Sequence, residues 1–105
     1  MTKIFISQPM NGKTTEEIKS RREKAIQSID DYYNGEYEVI DNLLESEIPP
    51  EEIDPFPMLI CSLSCINDAD IVYFIDDWEN YRGCRIEHQC CLEYGIPTGY
   101  IKMGE

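Results

Sequence analysis

The sequence is poor in basic residues. Its 105 residues include 9 Lys and Arg against 21 Asp and Glu, and the formal net charge at pH 7 is −12. A domain that binds duplex nucleic acid needs a basic face that releases counterions from phosphates, and an anionic membrane attracts the same kind of face. The charge balance therefore argues against nucleic-acid duplexes and membranes as partners.

Long apolar runs and export signals are also missing. No run reaches the ~20 residues that a membrane-spanning helix needs. Residues 1–6 lead straight into a strand-like segment, which has the wrong length and continuation for a secretory signal. We expect a cytoplasmic protein with reduced cysteines, and their odd number, five, excludes a complete set of internal disulfides.

The chain does contain a regular alternation of short β-like runs with helical runs. This alternation predicts a single α/β domain over residues 1–105, with a parallel sheet of four or five strands and flanking helices. The predicted strands are Thr2–Ser7, Tyr37–Asp41, Asp70–Ile75 and Thr98–Lys102. The predicted helices are Thr14–Tyr33, Met58–Asn67 and Gly83–Tyr94. Right-handed crossovers favour the strand order 2-1-3-4, a flavodoxin-like or Rossmann-like winding.

Local signals support these bounds. Thr14 and Glu17 have the spacing of a capping box at the start of the first helix. Four prolines interrupt the stretch 42–57, for which we expect an ordered connection with one helical turn. The run 71–75 is apolar or aromatic throughout, which is typical of a strand that is buried on both faces.

The predicted strand order also locates a ligand crevice. Sheets of this kind bind their ligand beyond the carboxyl ends of the strands, at the point where the strand order reverses. Here that point lies between the first and third strands. The segments Gln8–Lys13 and Asp76–Arg85 follow those two strands, and we expect both to line the crevice.

The first segment, together with the last residue of the strand before it, combines a hydroxyl, two side-chain amides, a thioether and a glycine just before a helix: Ser7, Gln8, Met10, Asn11 and Gly12. Backbone amides at a helix amino terminus, together with the helix dipole, suit a phosphate or a sugar. A plain turn between a strand and a helix is the alternative interpretation.

The second segment contains more side chains that could bind a ligand or take part in catalysis. The stretch Asp76–His88 holds the only tryptophan, the only histidine, four carboxylates and two arginines. Trp78 offers a flat face for a base, and Arg82 and Arg85 offer guanidinium forks for a phosphate or carboxylate. Glu87 falls in the first turns of a helix, where a carboxylate can act as nucleophile or general base. An acidic surface loop with a capping carboxylate is the alternative.

Three stretches of the chain carry a resemblance to a known family: Lys3–Lys13, Ala69–Phe74 and Trp78–His88. They look like the small DUF4406 group, which is common in phages and bacteria, and the match covers nearly the whole chain. That group resembles the nucleoside 2-deoxyribosyltransferase superfamily and its deoxynucleoside monophosphate N-glycosidases. Those enzymes carry a glycine four residues before a glutamate and a second glycine eight residues after it, a spacing that Gly83, Glu87 and Gly95 reproduce.

The resemblance implies cleavage of the N-glycosidic bond of a nucleoside or nucleotide, or transfer of its deoxyribosyl group. Glu87 would be the nucleophile, because glycosidic cleavage passes through an oxocarbenium-like state that a carboxylate stabilises. Asp76 or Asp77 would orient the sugar or base. The residues expected to bind the substrate share a place beside the crevice: Ser7, Gln8, Met10, Asn11, Gly12, Trp78, Asn80, Arg82, Gly83 and Arg85.

Two positions depart from the enzymes. Tyr81 stands where they commonly carry an aspartate, and Gln89 stands where a small residue is common. Protonation of a leaving purine would then fall to His88 or Asp77. A non-catalytic binder of nucleotides or nucleotide-derived signals in the same crevice is therefore the alternative function, and a structural module with a vestigial pocket is a third.

The resemblance implies a homo-oligomer, with Met58–Ile66 as the candidate contact between subunits. No cofactor is implied, because carboxylate chemistry needs none. The cysteines and the histidine suggest a zinc site as one alternative, but no CxxC pair is present. We expect the cysteines to pack helices against the sheet as small apolar side chains, with Cys84 as an alternative nucleophile.

Overall fold

The structure, a computed structural model, describes residues 1–40 and 54–103. Its strands are β1 (Thr2–Ser7), β2 (Tyr37–Val39), β3 (Ile71–Ile75) and β4 (Thr98–Ile101). Its helices are α1 (Thr15–Tyr33), α2 (Pro55–Asp68) and α3 (Arg82–Tyr94). The strands form one parallel sheet in the order β2-β1-β3-β4, so the predicted α/β class, strand order and Rossmann-like winding are confirmed.

The sheet is covered by helices on both faces. One core cluster joins Ala25 and Ile29 of α1 to alternate residues of the strands, among them Ile4 and Ile75. The other cluster joins side chains of α2 and α3 to the opposite side of the same strands: Phe5, Ile66, Val72, Phe74 and Cys91. Period-two alternation along buried parallel strands therefore produces a three-layer domain. None of the helices described is both long and apolar enough to cross a membrane.

The register of β1 and β3 sets the position of the ligand crevice. Ser7 at the end of β1 lies beside Phe74 near the end of β3. The chain leaves β1 toward α1 on one face of the sheet and leaves β3 toward α3 on the other. The two strand ends therefore diverge, which opens the space that the sequence predicts at this edge.

Helix α1 begins with the predicted capping box. The Glu17 backbone N–H donates to Thr14 Oγ1 at 3.1 Å, and the Thr14 backbone N–H donates to Glu17 Oε1 at 2.9 Å. These bonds satisfy two amides that lack a partner inside the helix. The backbone hydrogen bond from Thr14 is the main reason why the pKa of Glu17 is lowered.

Replacing Thr14 with alanine is expected to lower the free energy of unfolding by about 1 kcal/mol, because the buried face of α1 stays intact while the Glu17 amide in its first turn loses its acceptor. Urea denaturation monitored by circular dichroism measures this change. Ser20→Ala is the matched control: it removes a hydroxyl from an exposed site within α1. An equal loss of stability in both variants would contradict the role of the cap.

The predicted start of the second helix is wrong. The sequence interpretation treats Pro55 and Pro57 as breakers and begins the helix at Met58, whereas α2 begins at Pro55. Both prolines lie in the first turn, where a backbone N–H has no partner inside the helix and a fixed φ is already helical. The first backbone bond of the helix runs from the Met58 N–H to the Asp54 carbonyl at 3.1 Å.

Other bounds shift by a residue or so. The segment that follows β3 contains a single-turn 3-10 helix over Trp78–Asn80, and α3 begins at Arg82, one residue before the predicted Gly83. Asp41 of the predicted second strand lies outside the described residues, as do residues 42–53 of the predicted connection.

Candidate functional site

A cleft of about 660 Å³ lies over the carboxyl end of β1, between the amino-terminal turns of α2 and α3. Three segments line it: the end of β1 with its following loop, α2 from Pro55 to Ser62, and residues 80–87. Nine of the residues predicted to form the site share this lining: Ser7, Gln8, Met10, Asn11, Asn80, Arg82, Gly83, Arg85 and Glu87.

Glu87 is buried in the wall of the cleft. Its side chain is only 6% exposed, and Ser7 Oγ donates to its Oε1 at 2.5 Å. Helical spacing explains the burial, because Cys84, Glu87 and Cys91 follow one another at intervals of three and four on the inner face of α3. A carboxylate inside a largely buried wall costs free energy unless it is hydrogen-bonded. The Ser7 hydroxyl meets part of this need and fixes the side chain.

Cys84 lies beside this pair. Its thiol shares a hydrogen bond with Ser7 and is buried. The pKa of Cys84 is raised to about 12, chiefly by burial; the bond to Ser7 lowers it, and the charge of Glu87 adds to the rise. Because the thiolate is the reactive form, Cys84 is a poor nucleophile near neutral pH. Its surroundings favour the expectation of a small packing side chain.

Alkylation by iodoacetamide at pH 8 is expected to modify the exposed Cys61 first, and Cys84 and Cys91 about 100-fold more slowly or less. Both slow thiols are buried, and burial raises their pKa values to about 12 and about 11. Their thiolates therefore form only as the pH approaches those values. Peptide mass spectrometry measures the rates, and the urea-unfolded chain, in which all five thiols react alike, is the control. Rapid native alkylation of Cys84 would contradict this assignment.

The polar side of the cleft belongs to the amino terminus of α3 and the β1–α1 loop. Asn80, Arg82 and Arg85 line this side, and the Arg85 guanidinium donates to the Glu79 carbonyl at 3.0 Å. Lys13 Nζ lies 5.7 Å from the centroid of the Tyr81 ring, a cation–π contact between the two segments. The cleft thus concentrates cations at one side of an otherwise acidic protein.

Gln8 forms a fixed part of the wall. Its Nε2 donates to the Ile18 carbonyl of α1 at 3.0 Å, and the side chain is buried. Gly12, one of the predicted binding residues, does not line the cleft. Its φ of +81° instead allows the turn that the Lys13 N–H closes on the Met10 carbonyl at 3.0 Å. The glycine shapes the loop that carries Met10 and Asn11.

The two predicted aspartates lie away from the cleft. The Asp76 carboxylate accepts a hydrogen bond from the Met103 backbone N–H at 2.8 Å, and its carbonyl accepts one from Arg21. Asp76 therefore ties α1 and the end of β4 to β3. Asp77 is exposed, adopts a left-handed φ of +76° and precedes the 3-10 helix. Neither residue lines the cleft with Glu87.

Trp78 does not line the cleft either. Its ring lies 4.1 Å from His88 and 5.4 Å from Phe74, measured between centroids, and it packs on the core cluster of α2 and α3. His88 Nε2 in turn lies 2.7 Å from the Tyr100 hydroxyl. His88 and Cys84 thus point to different surroundings. Across residues 1–40 and 54–103, no group of three His, Cys, Asp or Glu side chains could hold a metal ion.

The sequence interpretation missed one wall of the cleft. Helix α2 contributes five lining residues, Pro55, Phe56, Met58, Leu59 and Ser62, whereas this helix was expected to form a subunit contact. The prediction of a homo-oligomer stays a prediction. The signal that was available is the absence of any charged residue over 55–67, which is unusual for a surface helix of this chain.

Comparison with known proteins places the chain in one family. A family model described as a domain of unknown function, DUF4406, matches residues 2–100. Neither the comparison with curated proteins nor the comparison with solved structures finds a match. The matched region includes all three helices, every described residue of the cleft and the sheet up to Tyr100 of β4. Because the family model covers nearly the full length, the chain belongs to the DUF4406 family.

Proposed function

We propose that this protein cleaves the N-glycosidic bond of a deoxynucleoside or its 5′-monophosphate, or transfers the deoxyribosyl group to another base. One observation carries the proposal: a buried carboxylate, Glu87, is held by Ser7 in the wall of a cleft large enough for such a molecule. A structural carboxylate gains little from such a position, because burial penalises its charge. A carboxylate that must face a developing cation benefits from it.

The reaction follows from the charge of Glu87. A carboxylate oxygen attacks the anomeric carbon C1′ while the C1′–N bond breaks, and the electron pair leaves with the base, which takes a proton from water. The sugar passes through an oxocarbenium-like state that the negative charge stabilises. Water, or a second base, then attacks C1′ of the glycosyl ester and releases Glu87 as a carboxylate. The apolar α2 side of the cleft lowers the local dielectric and strengthens this stabilisation.

Ser7 has a positioning role in this scheme. Its hydroxyl donates to Glu87 Oε1 and thereby fixes the orientation of the carboxylate. The pair also connects β1 to α3, so two elements of regular secondary structure hold the nucleophile.

The α3 side of the cleft suits the anionic end of a nucleotide. Arg82 lies at the first position of α3, and the amides of Arg82, Gly83 and Cys84 belong to the first turn, where helices leave N–H groups without a backbone partner. A protein of net charge −12 repels an anion at long range. The donors at the start of α3 offset this repulsion locally, and their presence in the cleft favours the monophosphate over the nucleoside.

The sequence spacing supports the same assignment. Gly83, Glu87 and Gly95 repeat the glycine–glutamate–glycine spacing of the nucleoside 2-deoxyribosyltransferase superfamily, to which we propose that this domain is related. Gly95 has a φ of +67° and ends α3. A glycine at this position is therefore also explained by the left-handed backbone that ends the helix. We also propose the homo-oligomer implied by this relation, and light scattering that finds only monomer would exclude it.

A non-catalytic nucleotide binder is the second candidate, and one observation favours it. Glu87 is the one carboxylate among the described residues that line the cleft, because Asp76 and Asp77 lie outside it and Tyr81 occupies the position of the enzymes' aspartate. Protonation of the leaving base then depends on water, which slows cleavage of pyrimidine and purine bonds alike.

The test is an incubation of the purified protein with a pooled panel of deoxynucleosides, deoxynucleoside 5′-monophosphates and NAD, followed by mass spectrometry. A free base or an exchanged base establishes glycosyl transfer and identifies the substrate. An unchanged pool from which the protein retains one member on a spin filter establishes the binder instead.

A further inference from the structure

Because Trp78 lies outside the cleft, another surface must contact the base of a bound nucleotide. The only tryptophan of the chain stacks against His88 and packs on the core, so it does not offer a face to the cleft. A purine or pyrimidine ring nevertheless needs a flat apolar surface to leave water. Among the described residues of the cleft, the Tyr81 ring is already in contact with Lys13, and helix α2 supplies an apolar wall with an aromatic side chain of its own.

The first two turns of α2, residues 55–61, are apolar without interruption. Phe56, Met58 and Leu59 line the cleft from the first two turns, and no charged side chain occurs over residues 55–67. Met58 and Leu59 are half-buried, whereas 69% of Phe56 is exposed although it lines the cleft. An aromatic ring at the mouth of a cleft with an adjacent flexible thioether is a surface on which a planar heterocycle packs well.

The backbone of α2 points to the same ligand chemistry. Pro55 and Pro57 occupy its first turn, so two of the amides that a helix amino terminus offers to an anion do not exist here. The first turn of α3, across the cleft, keeps all of its amides and adds Arg82. One wall therefore suits a phosphate, and the opposite wall excludes it and suits an apolar ring.

We propose that Phe56, Met58 and Leu59 form the subsite for the heterocyclic base, so that a nucleotide lies with its base on α2, its phosphate toward α3 and C1′ at Glu87. This inference rests on the proposed function, and it replaces the expectation that Trp78 stacks on the base. It also assigns Phe56 as the residue that determines how tightly different bases bind, because its ring contributes most of the exposed aromatic surface of this wall.

The methionines provide a direct readout. The chain has four, at positions 1, 10, 58 and 103. Met58 lies on the α2 wall, Met10 on the β1–α1 loop, and Met103 packs against the core cluster on the far face of the sheet. Protein labelled with 13C-methyl methionine is titrated with the free bases adenine and cytosine, and then with deoxynucleoside 5′-monophosphates. We expect the Met58 signal to move most and the Met103 signal to stay in place.

Two substitutions on one helix form the matched pair. Phe56→Ala is expected to weaken binding of the 5′-monophosphates, as Kd or KM, about 10-fold, with kcat within about twofold. Ile60→Ala removes an exposed apolar side chain one turn further along α2 that does not line the cleft, and it is expected to leave both constants unchanged. Fluorescence of Trp78 is expected to stay constant on ligand addition.

The outcomes separate this inference from the proposed function. Turnover by the wild type that Phe56→Ala does not affect, with a stationary Met58 signal, overturns the α2 subsite and keeps the glycosidase. A moving Met58 signal without any turnover supports the subsite and overturns catalysis. No product and no movement of Met58 with any base or nucleotide overturns both.

Discussion

Replacing Glu87 with glutamine is expected to reduce glycosyl turnover at least about 1,000-fold while the protein stays folded. The amide has the shape of the carboxylate but lacks its charge, so it neither attacks C1′ nor stabilises the oxocarbenium-like state. The Gln oxygen can still accept the hydrogen bond that Ser7 donates to Glu87 Oε1, which preserves the contact between β1 and α3. Mass spectrometry of the released base measures the loss.

Glu93→Gln is the matched control for this experiment. Glu93 lies on the same helix, is exposed, and accepts a hydrogen bond from Gln89 at 2.7 Å outside the cleft. The two variants remove the same charge from a protein of net charge −12, so a general electrostatic effect would change both alike. Retention of full turnover by Glu87→Gln, with an unchanged thermal midpoint, would exclude Glu87 as the nucleophile.

Ser7→Ala gives a smaller and different effect. The carboxylate remains but loses the hydroxyl that orients it, so we expect kcat to fall about 10-fold with little change in KM. Ser7→Thr keeps the hydroxyl and is expected to recover part of the rate if the added methyl fits beside Cys84. Equal rates for the wild type and Ser7→Ala would show that the hydrogen bond has only a structural role.

The fold was predictable because the sequence patterns that determine it are local and recur along the chain. Alternation of short apolar runs with amphipathic runs, turn residues between them and the handedness of crossovers determine the strand order, which the ladder from β2 to β4 confirms. The start of α2 was not predictable from the same rules. A proline favours a first turn and opposes an interior turn, and the sequence alone does not say which of the two Pro55 occupies.

The cleft was predictable in part, for a related reason. Helical spacing places Cys84, Glu87 and Cys91 on one buried face, so the assignment of Glu87 to the crevice follows from the sequence. Trp78 follows a turn in which Asp77 adopts a left-handed conformation, and its ring packs against His88 outside the cleft. Asp76 continues the ladder between β3 and β4, and its carboxylate accepts a hydrogen bond from the Met103 N–H. Nothing in the sequence pattern indicates either arrangement. The α2 wall depends on a tertiary contact that no local pattern encodes.

The edge strand β4 contains a position that is sensitive to a small change. Gly99 lies beside Tyr73 in the ladder, and a Cβ added at Gly99 would fall 2.4 Å from the Tyr73 ring. The ring cannot simply swing away, because the Tyr73 hydroxyl lies 2.9 Å from the Tyr33 hydroxyl and the two rings pack edge to face at 6.5 Å. Burial, followed by the bond to Tyr33, raises the pKa of Tyr73, which keeps its hydroxyl protonated for this contact.

Gly99→Ala is therefore expected to lower the free energy of unfolding by about 2 kcal/mol and the thermal midpoint by about 10 °C, because either β4 or the Tyr73–Tyr33 contact must shift. Differential scanning fluorimetry and urea denaturation measure both. Gly83→Ala is the matched control: apart from its chain neighbours and the adjacent helix backbone, no atom lies within 4 Å of its added Cβ, and alanine favours the first turn of α3, so this variant is expected to be neutral or slightly stabilised. In a Tyr73→Ala background the cost of Gly99→Ala should vanish, since the ring that opposes the new methyl is gone. A persisting cost there would mean that the strand backbone, rather than Tyr73, excludes a side chain at this position.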